Sequence, residues 1–124
     1  MTESVDFACL AARAASGKQG GDVVVLDVRE LITITDYFVI ASGTSDRQVK
    51  TIADEVVKAL RAEGTRPVRS EGDAASRWIL LDFVDFVVHV FHQGERDHYR
   101  LERLWVDAPR VEWESATQAS SARA

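Results

Sequence analysis

Cysteine is nearly absent: Cys9 is the single one in 124 residues. One thiol excludes an internal disulfide framework and any cysteine-built zinc knuckle, and it suits a reducing compartment, so a cytoplasmic protein is expected. Positive charge is in deficit, with 15 Lys and Arg against 20 Asp and Glu and a net charge of −5. A protein that coats DNA or RNA depends on neutralising phosphates, so that class is disfavoured and no sequence-specific nucleic acid is expected. The same acidity suits a basic protein partner. Long apolar runs are missing as well. The longest, Trp78 to His92, is too short to span a bilayer and contains Asp82, Asp85 and His89. At the start, Met1-Thr2-Glu3-Ser4-Val5-Asp6 carries acids where an export signal needs positive charge.

What is present is an ordinary globular composition, 46% hydrophobic and 28% charged, in a chain the length of one domain. Residues 3–16 read as a helix with Val5, Cys9, Leu10 and Ala12 near one face and Gly17 as its stop. Cys9 reads as a core residue of that face. Residues 23–28 and 37–41 are apolar on both faces and read as interior strands. Ser45-Asp46-Arg47-Gln48 is a capping box, and Val49, Ile52, Ala53, Val56, Val57 and Leu60 repeat at helical spacing up to Gly64. Asp46–Lys50 and Asp54–Lys58 are expected ion pairs on the wet side of that helix.

Beyond it, Arg66-Pro67-Val68-Arg69 reads as a short edge strand and residues 71–75 as a loop. Residues 78–83 and 86–91 read as a hairpin turning at Val84-Asp85. Residues 97–105 read as a last helix, with a disordered tail from 109 to 124 after the breaker Ala108-Pro109. The expected fold is α+β: a single domain over 1–108 with a mixed β-sheet and flanking helices.

Few constellations carry chemistry. His89 and His92 fall at odd spacing on a strand, which sends them to opposite faces, so no metal site is expected. Gly43-Thr44-Ser45 before a helix forms an anion-friendly N-terminus and is similar to the Gly-Ser opening of nucleotidyltransferases, with Asp82 and Asp85 as the acids such an enzyme would need. Those acids stand three apart across a turn, and Ser45 is already used as a cap. No nucleophile elbow, Walker loop or Cys–His pair occurs.

Two longer stretches say more. Thr35-Asp36-Tyr37-Phe38-Val39-Ile40-Ala41-Ser42-Gly43-Thr44-Ser45-Asp46-Arg47-Gln48 closely resembles the first signature of the ribosomal silencing factor (RsfS, or Iojap) family. The second signature is matched by Trp78-Ile79-Leu80-Leu81-Asp82-Phe83, then Asp85, Val87-Val88-His89-Val90-Phe91, and Arg100-Leu101-Glu102-Arg103-Leu104-Trp105. The resemblance runs from about residue 5 to 106. It implies a nucleotidyltransferase-like fold without enzymatic activity or cofactor. It also implies a homodimer that binds the fourteenth protein of the large ribosomal subunit, blocks subunit joining and represses translation when nutrients are scarce. The family usually has glycine where this chain has Val84, at a turn that favours positive φ.

The partner contact is expected where the second signature holds more polar and aromatic residues than a core requires. On a strand, Trp78, Leu80 and Asp82 share one face, and Ile79, Leu81 and Phe83 share the other, which is the better one to cover helices. On the last helix Tyr99 and Glu102 are one turn apart, facing away from Leu101 and Trp105. The expected patch is therefore Trp78 as aromatic anchor, Tyr99 beside it, and Asp82 and Glu102 facing basic residues of the partner. The alternative is a nucleotide-binding enzyme built on Gly43–Ser45 and Asp82/Asp85, separable by nucleotide titration.

Overall fold

A computed structural model of the chain describes residues 4–18, 21–73, 77–95 and 107–113. Their order is α1 (Ser4–Gly17), β1 (Gly21–Asp27), β2 (Tyr37–Gly43), α2 (Asp46–Ala62), β3 (Arg69–Asp73), β4 (Trp78–Asp82), β5 (Phe86–His92) and β6 (Arg110–Val111). The six strands form one mixed sheet ordered β3-β4-β5-β2-β1-β6. β2 and β5 run parallel, and the other neighbours pair antiparallel. This is the expected α+β class.

α2 shows how local chemistry fixes an element. The Ser45 hydroxyl accepts from the Gln48 N–H at 3.1 Å, satisfying a donor that the first turn leaves open. Gln48 reaches back one residue further than a simple capping box: its Oε1 accepts from the N–H and the hydroxyl of Thr44, at 2.6 and 2.9 Å. Val49, Ile52, Ala53, Val56 and Leu60 are buried along one stripe, and Val57 packs at its margin. At the other end Gly64 takes a φ of +83°, and the Thr65 N–H bonds to the Leu60 carbonyl at 3.0 Å, closing the last turn. On the wet side Lys50 pairs with Asp54 at 3.0 Å, and Asp46 pairs with Arg77 at 3.5 Å. These contacts replace the expected Asp46–Lys50 and Asp54–Lys58 pairs. Exposed pairs of this kind contribute only about 0.2–1 kcal/mol, so the exchange costs little.

α1 and α2 cover the same face of the sheet. The side of α1 that meets it is built of Ala8, Ala11, Ala12 and Ala15, so the helix backbone lies close to its neighbours. Cys9 is buried beside them, and burial pushes its thiol pKa up, as expected of a core residue. Against these helices the sheet presents Val25, Tyr37, Val39, Ala41, Ile79, Leu81, Phe86, Val88 and Val90. The intervening residues Leu26, Ile40 and Phe91 belong to a second apolar cluster on the far face, with Val24, Phe38 and Trp78 at its margin. Alternation within each strand thus gives two cores, as a sheet apolar on both faces requires.

Three sequence expectations change. The edge strand lies at Arg69–Asp73 rather than 66–69, pairing Arg69 with Asp82 and Asp73 with Trp78, so residues 71–73 are strand rather than loop. Pro67 has no N–H to give a ladder, and pairing begins one residue later, where the Val68 N–H donates to the Asp82 carbonyl at 2.8 Å. Second, the segment expected as a tail contributes β6, in which Val111 and Arg110 pair with Val25 and Leu26, and the Trp113 indole donates to the Val23 carbonyl at 3.1 Å. Third, the helix expected at 97–105 lies outside the described residues.

The hairpin between β4 and β5 turns as expected. The Phe83 N–H bonds to the Phe86 carbonyl at 3.0 Å, and the Asp82 carboxylate accepts from the Val84 N–H at 2.8 Å. Val84 sits at a φ of +74° and is 53% exposed. A β-branched residue in that region costs roughly 1–2 kcal/mol, partly offset because glycine loses more freedom on folding. Val84→Gly should therefore raise stability by about 1 kcal/mol, or roughly 4 °C in Tm, in thermal denaturation. An unchanged or lower Tm would show that the turn is not strained.

Candidate functional site

The far face of β4 carries the strand residues named by the sequence. Trp78, Leu80 and Asp82 share it and all three are half-buried, while Ile79 and Leu81 turn into the helix-side core. Strand pairing sets Leu80 opposite Glu71 and Asp82 opposite Arg69 on the edge strand β3. Between the two strands lies a cleft of about 230 Å³ lined by Glu71, Gly72, Trp78 and Leu80. Gly72 has a φ of +79°, and a Cβ there would collide with the Trp78 carbonyl oxygen. Glycine therefore lets the edge strand close onto β4 where the cleft forms.

Trp78 is not a free-standing anchor. Its indole N–H donates to His89 Nδ1 at 3.3 Å, and its ring stacks on Phe91 with centroids 5.2 Å apart. His89 in turn meets Phe38 edge-on at 5.2 Å. Packing from β5 and β2 thus holds the ring in place and leaves part of it exposed, the condition under which an aromatic can anchor a partner at low entropic cost. The sequence reading missed His89 in this role, though the alternation of the second signature puts it on the same face as Phe91.

His89 is 6% exposed, and burial lowers its pKa to about 4. Accepting at Nδ1 places the proton of the neutral ring on Nε2, which is buried with no hydrogen-bond partner among the described residues. His92 extends to the other face, where its ring contacts the Arg77 guanidinium at 2.9 Å. No group of three or more potential metal ligands occurs among the described residues.

Charge at the cleft is partly spent internally. Asp82 faces Arg69 at 3.4 Å, and Arg69 also approaches Glu71 at 3.8 Å. Asp82 caps the Val84 turn as well, so its structural duties are larger than the sequence suggested. Tyr99 and Glu102, expected to complete the patch, lie outside the described residues.

The alternative enzyme site does not assemble. Gly43 ends β2 beside His92, at the finish of β5, whereas Asp82 lies beside Val87 and Asp85 precedes Phe86, at its start. Parallel pairing of β2 with β5 therefore puts Gly43–Ser45 and the two acids at opposite ends of the sheet, roughly 17–20 Å apart at 3.3 Å per residue. Two-metal chemistry needs its carboxylates and phosphate cradle at one point.

Comparison with known proteins gives a consistent picture. A family model described as "Ribosomal silencing factor during starvation" matches residues 2–124. The ribosomal silencing factor of Halalkalibacterium halodurans is 45% identical over 105 residues, which is 85% of this chain and 90% of that protein. A crystal structure of a Chromobacterium violaceum protein superimposes with a TM-score of 0.80 at 36% identity, covering 84% of this chain and 87% of that one. A mouse protein named for mitochondrial assembly of the ribosomal large subunit is 37% identical over 87 residues, 68% of this chain and 38% of the mouse protein.

The buried histidine generates a pH dependence. Unfolded, its pKa is 6.5, and folded it is about 4. Between those values the unfolded chain takes up a proton that the folded chain refuses, so the full stability is present above pH 6.5, falls as pH drops from 6.5 to about 4, and levels off below. The loss amounts to about 3 kcal/mol. Urea denaturation of wild type and His89→Gln across this range should show that excess loss in wild type alone. Parallel curves would mean that His89 is charged, or already relieved, in the folded protein.

Proposed function

The chain belongs to the ribosomal silencing factor family, and from that membership we propose that it represses translation by occupying the large ribosomal subunit and excluding the small one. The family match along the chain carries this reading. The half-exposed Trp78 beside an open cleft supports it, because small rigid aromatics with polar rims make efficient interface anchors. The target we infer is the fourteenth protein of the large subunit, whose basic residues would meet an acidic chain of net charge −5. Trp78 and Leu80 would form the apolar centre of the contact, with Asp82, Tyr99 and Glu102 around it.

The mechanism is steric and needs no bond chemistry. A protein bound on the surface where the two subunits meet blocks joining in proportion to its occupancy, and releases them when it dissociates. Such a device suits nutrient limitation, where translation must stop without destroying ribosomes. The fold is read as nucleotidyltransferase-like without transferase activity, and the compartment as the cytoplasm. Among the described residues no helix is long and apolar enough to cross a membrane. A homodimer is part of the same reading.

Purified protein should co-sediment with separated large subunits and not with small ones, and should reduce the joined fraction. Trp78→Ala should weaken large-subunit binding by roughly thirtyfold or more, the loss of a central anchor. Because Trp78 also packs on Phe91 and His89, Leu80→Ala serves as the second variant, with folding checked by circular dichroism. Binding to small subunits alone, or folded variants that bind like wild type, would contradict the proposal. Light scattering at about 50 µM protein should give twice the monomer mass, at a concentration where associations of micromolar affinity are populated. A monomer mass would remove the homodimer.

A further inference from the structure

Four large hydrophobic side chains are exposed among the described residues: Leu31, Ile34, Val68 and Val84. Singly, such residues are ordinary. All four, however, lie at one end of the sheet, where β1 and β4 finish and β2, β3 and β5 begin. Hydrogen bonds hold this end together. The 28–36 loop is closed at its base by the Val28 N–H on the Asp36 carbonyl at 2.9 Å, and the Asp36 N–H donates to the Asp85 carbonyl at 2.8 Å. Ile34, two residues before Asp36 and 84% exposed, and Val84, one residue before Asp85, thus flank the same backbone junction.

Neither aliphatic belongs to the two apolar clusters of the described residues. Ile34 buries little of its side chain, and Val84 holds a positive φ that glycine would adopt without strain. A strained, exposed valine in a turn points to a use outside the fold. Around them the charges are mostly negative. At the 28–36 loop and the 83–86 turn, Asp27, Glu30, Asp36 and Asp85 stand against Arg29, which is already engaged by Asp27 at 2.7 Å and lies over the Tyr37 ring, while Arg66 and Arg69 flank Val68 and Arg69 is engaged by Asp82 at 3.4 Å. Glu30, Asp36 and Asp85 form no salt bridge among the described residues.

We propose that this end of the sheet, formed by the 28–36 loop and the 83–86 turn, is a second docking surface whose occupant is a cationic protein segment offering an aliphatic side chain. Charge selects that occupant. A nucleic acid would bring phosphates to carboxylates, and a second copy of this chain would set the same acids against each other. A Lys- or Arg-bearing segment pairs with Asp36, Asp85 and Glu30 while its apolar residue covers Ile34 and Val84. The surface lies at the end of the sheet rather than on the far face of β4, so the inference stands apart from the Trp78 contact.

The probe is a flexible peptide of alternating Lys and Leu, titrated into 15N-labelled full-length protein and followed by NMR. Shifts should concentrate at residues 29–36 and 83–86, and weaken as NaCl rises from about 50 to 500 mM. An Asp/Leu peptide should cause none. Ile34→Ser and Asp85→Asn should each weaken binding by roughly fivefold. Val84→Gly should do the same while raising Tm, an opposition that a merely structural role would not produce. Arg61→Ala, on the wet side of α2, should bind like wild type. Shifts centred on Trp78, no shifts at all, or Ile34→Ser and Val84→Gly binding like wild type would overturn the inference, whatever the large-subunit experiment returns.

Discussion

Parallel pairing of β2 with β5 is the constraint on which the rest of this molecule depends. Seven residues of each strand run in register, from Tyr37 beside Phe86 to Gly43 beside His92. A parallel neighbour cannot follow directly, so the chain must cross over between them, and it spends the crossing on α2 and the β3–β4 pair. That crossing places α2 on one face and brings β4 back antiparallel beside β5. The same register puts Tyr37, Val39, Ala41, Phe86, Val88 and Val90 under the helices, and sends Phe38, Ile40, His89 and Phe91 to the other side.

The consequence for function is a division of labour between faces. α1 and α2 both pack on one side and cover the sheet there. The far side holds Trp78 upright through Phe91 and His89, and leaves an open cleft at the β3 edge. His89 illustrates the cost. Its ring is buried, neutral and, among the described residues, bonded on one nitrogen only, a combination that destabilises the fold but fixes the indole. Asp82 serves two masters in a similar way, as a turn cap and as the partner of Arg69.

Legibility followed locality. α2 could be read from sequence because its cap, stripe and stop are all set by neighbours within four residues. The alternation of Trp78, Leu80 and Asp82 against Ile79 and Leu81 was readable for the same reason. β3 was displaced because Arg-Ser-Glu-Gly-Asp has no strand propensity; it is extended only because β4 lies beside it. β6, the two residues that follow Pro109, likewise exists through β1 alone. The acids and the Gly43 loop stay open as an alternative in sequence despite their poor spacing, since nothing local tells that β2 pairs parallel to β5 and so separates them. Of the candidate site, the strand face that Trp78 and Asp82 share is legible from alternation, while the support from His89, Phe91 and Gly72 comes from pairing that only the fold supplies.

The central claim is that the far face of β4 meets the large ribosomal subunit while the helix face does not. Hydroxyl-radical footprinting of the protein with and without separated large subunits tests it directly, because side-chain oxidation reports which residues lose solvent. The account predicts that Trp78 and Leu80 become protected while the exposed side chains of α2, among them Lys50, Asp54 and Arg61, react as before. Protection along α2 with Trp78 and Leu80 unchanged would contradict it.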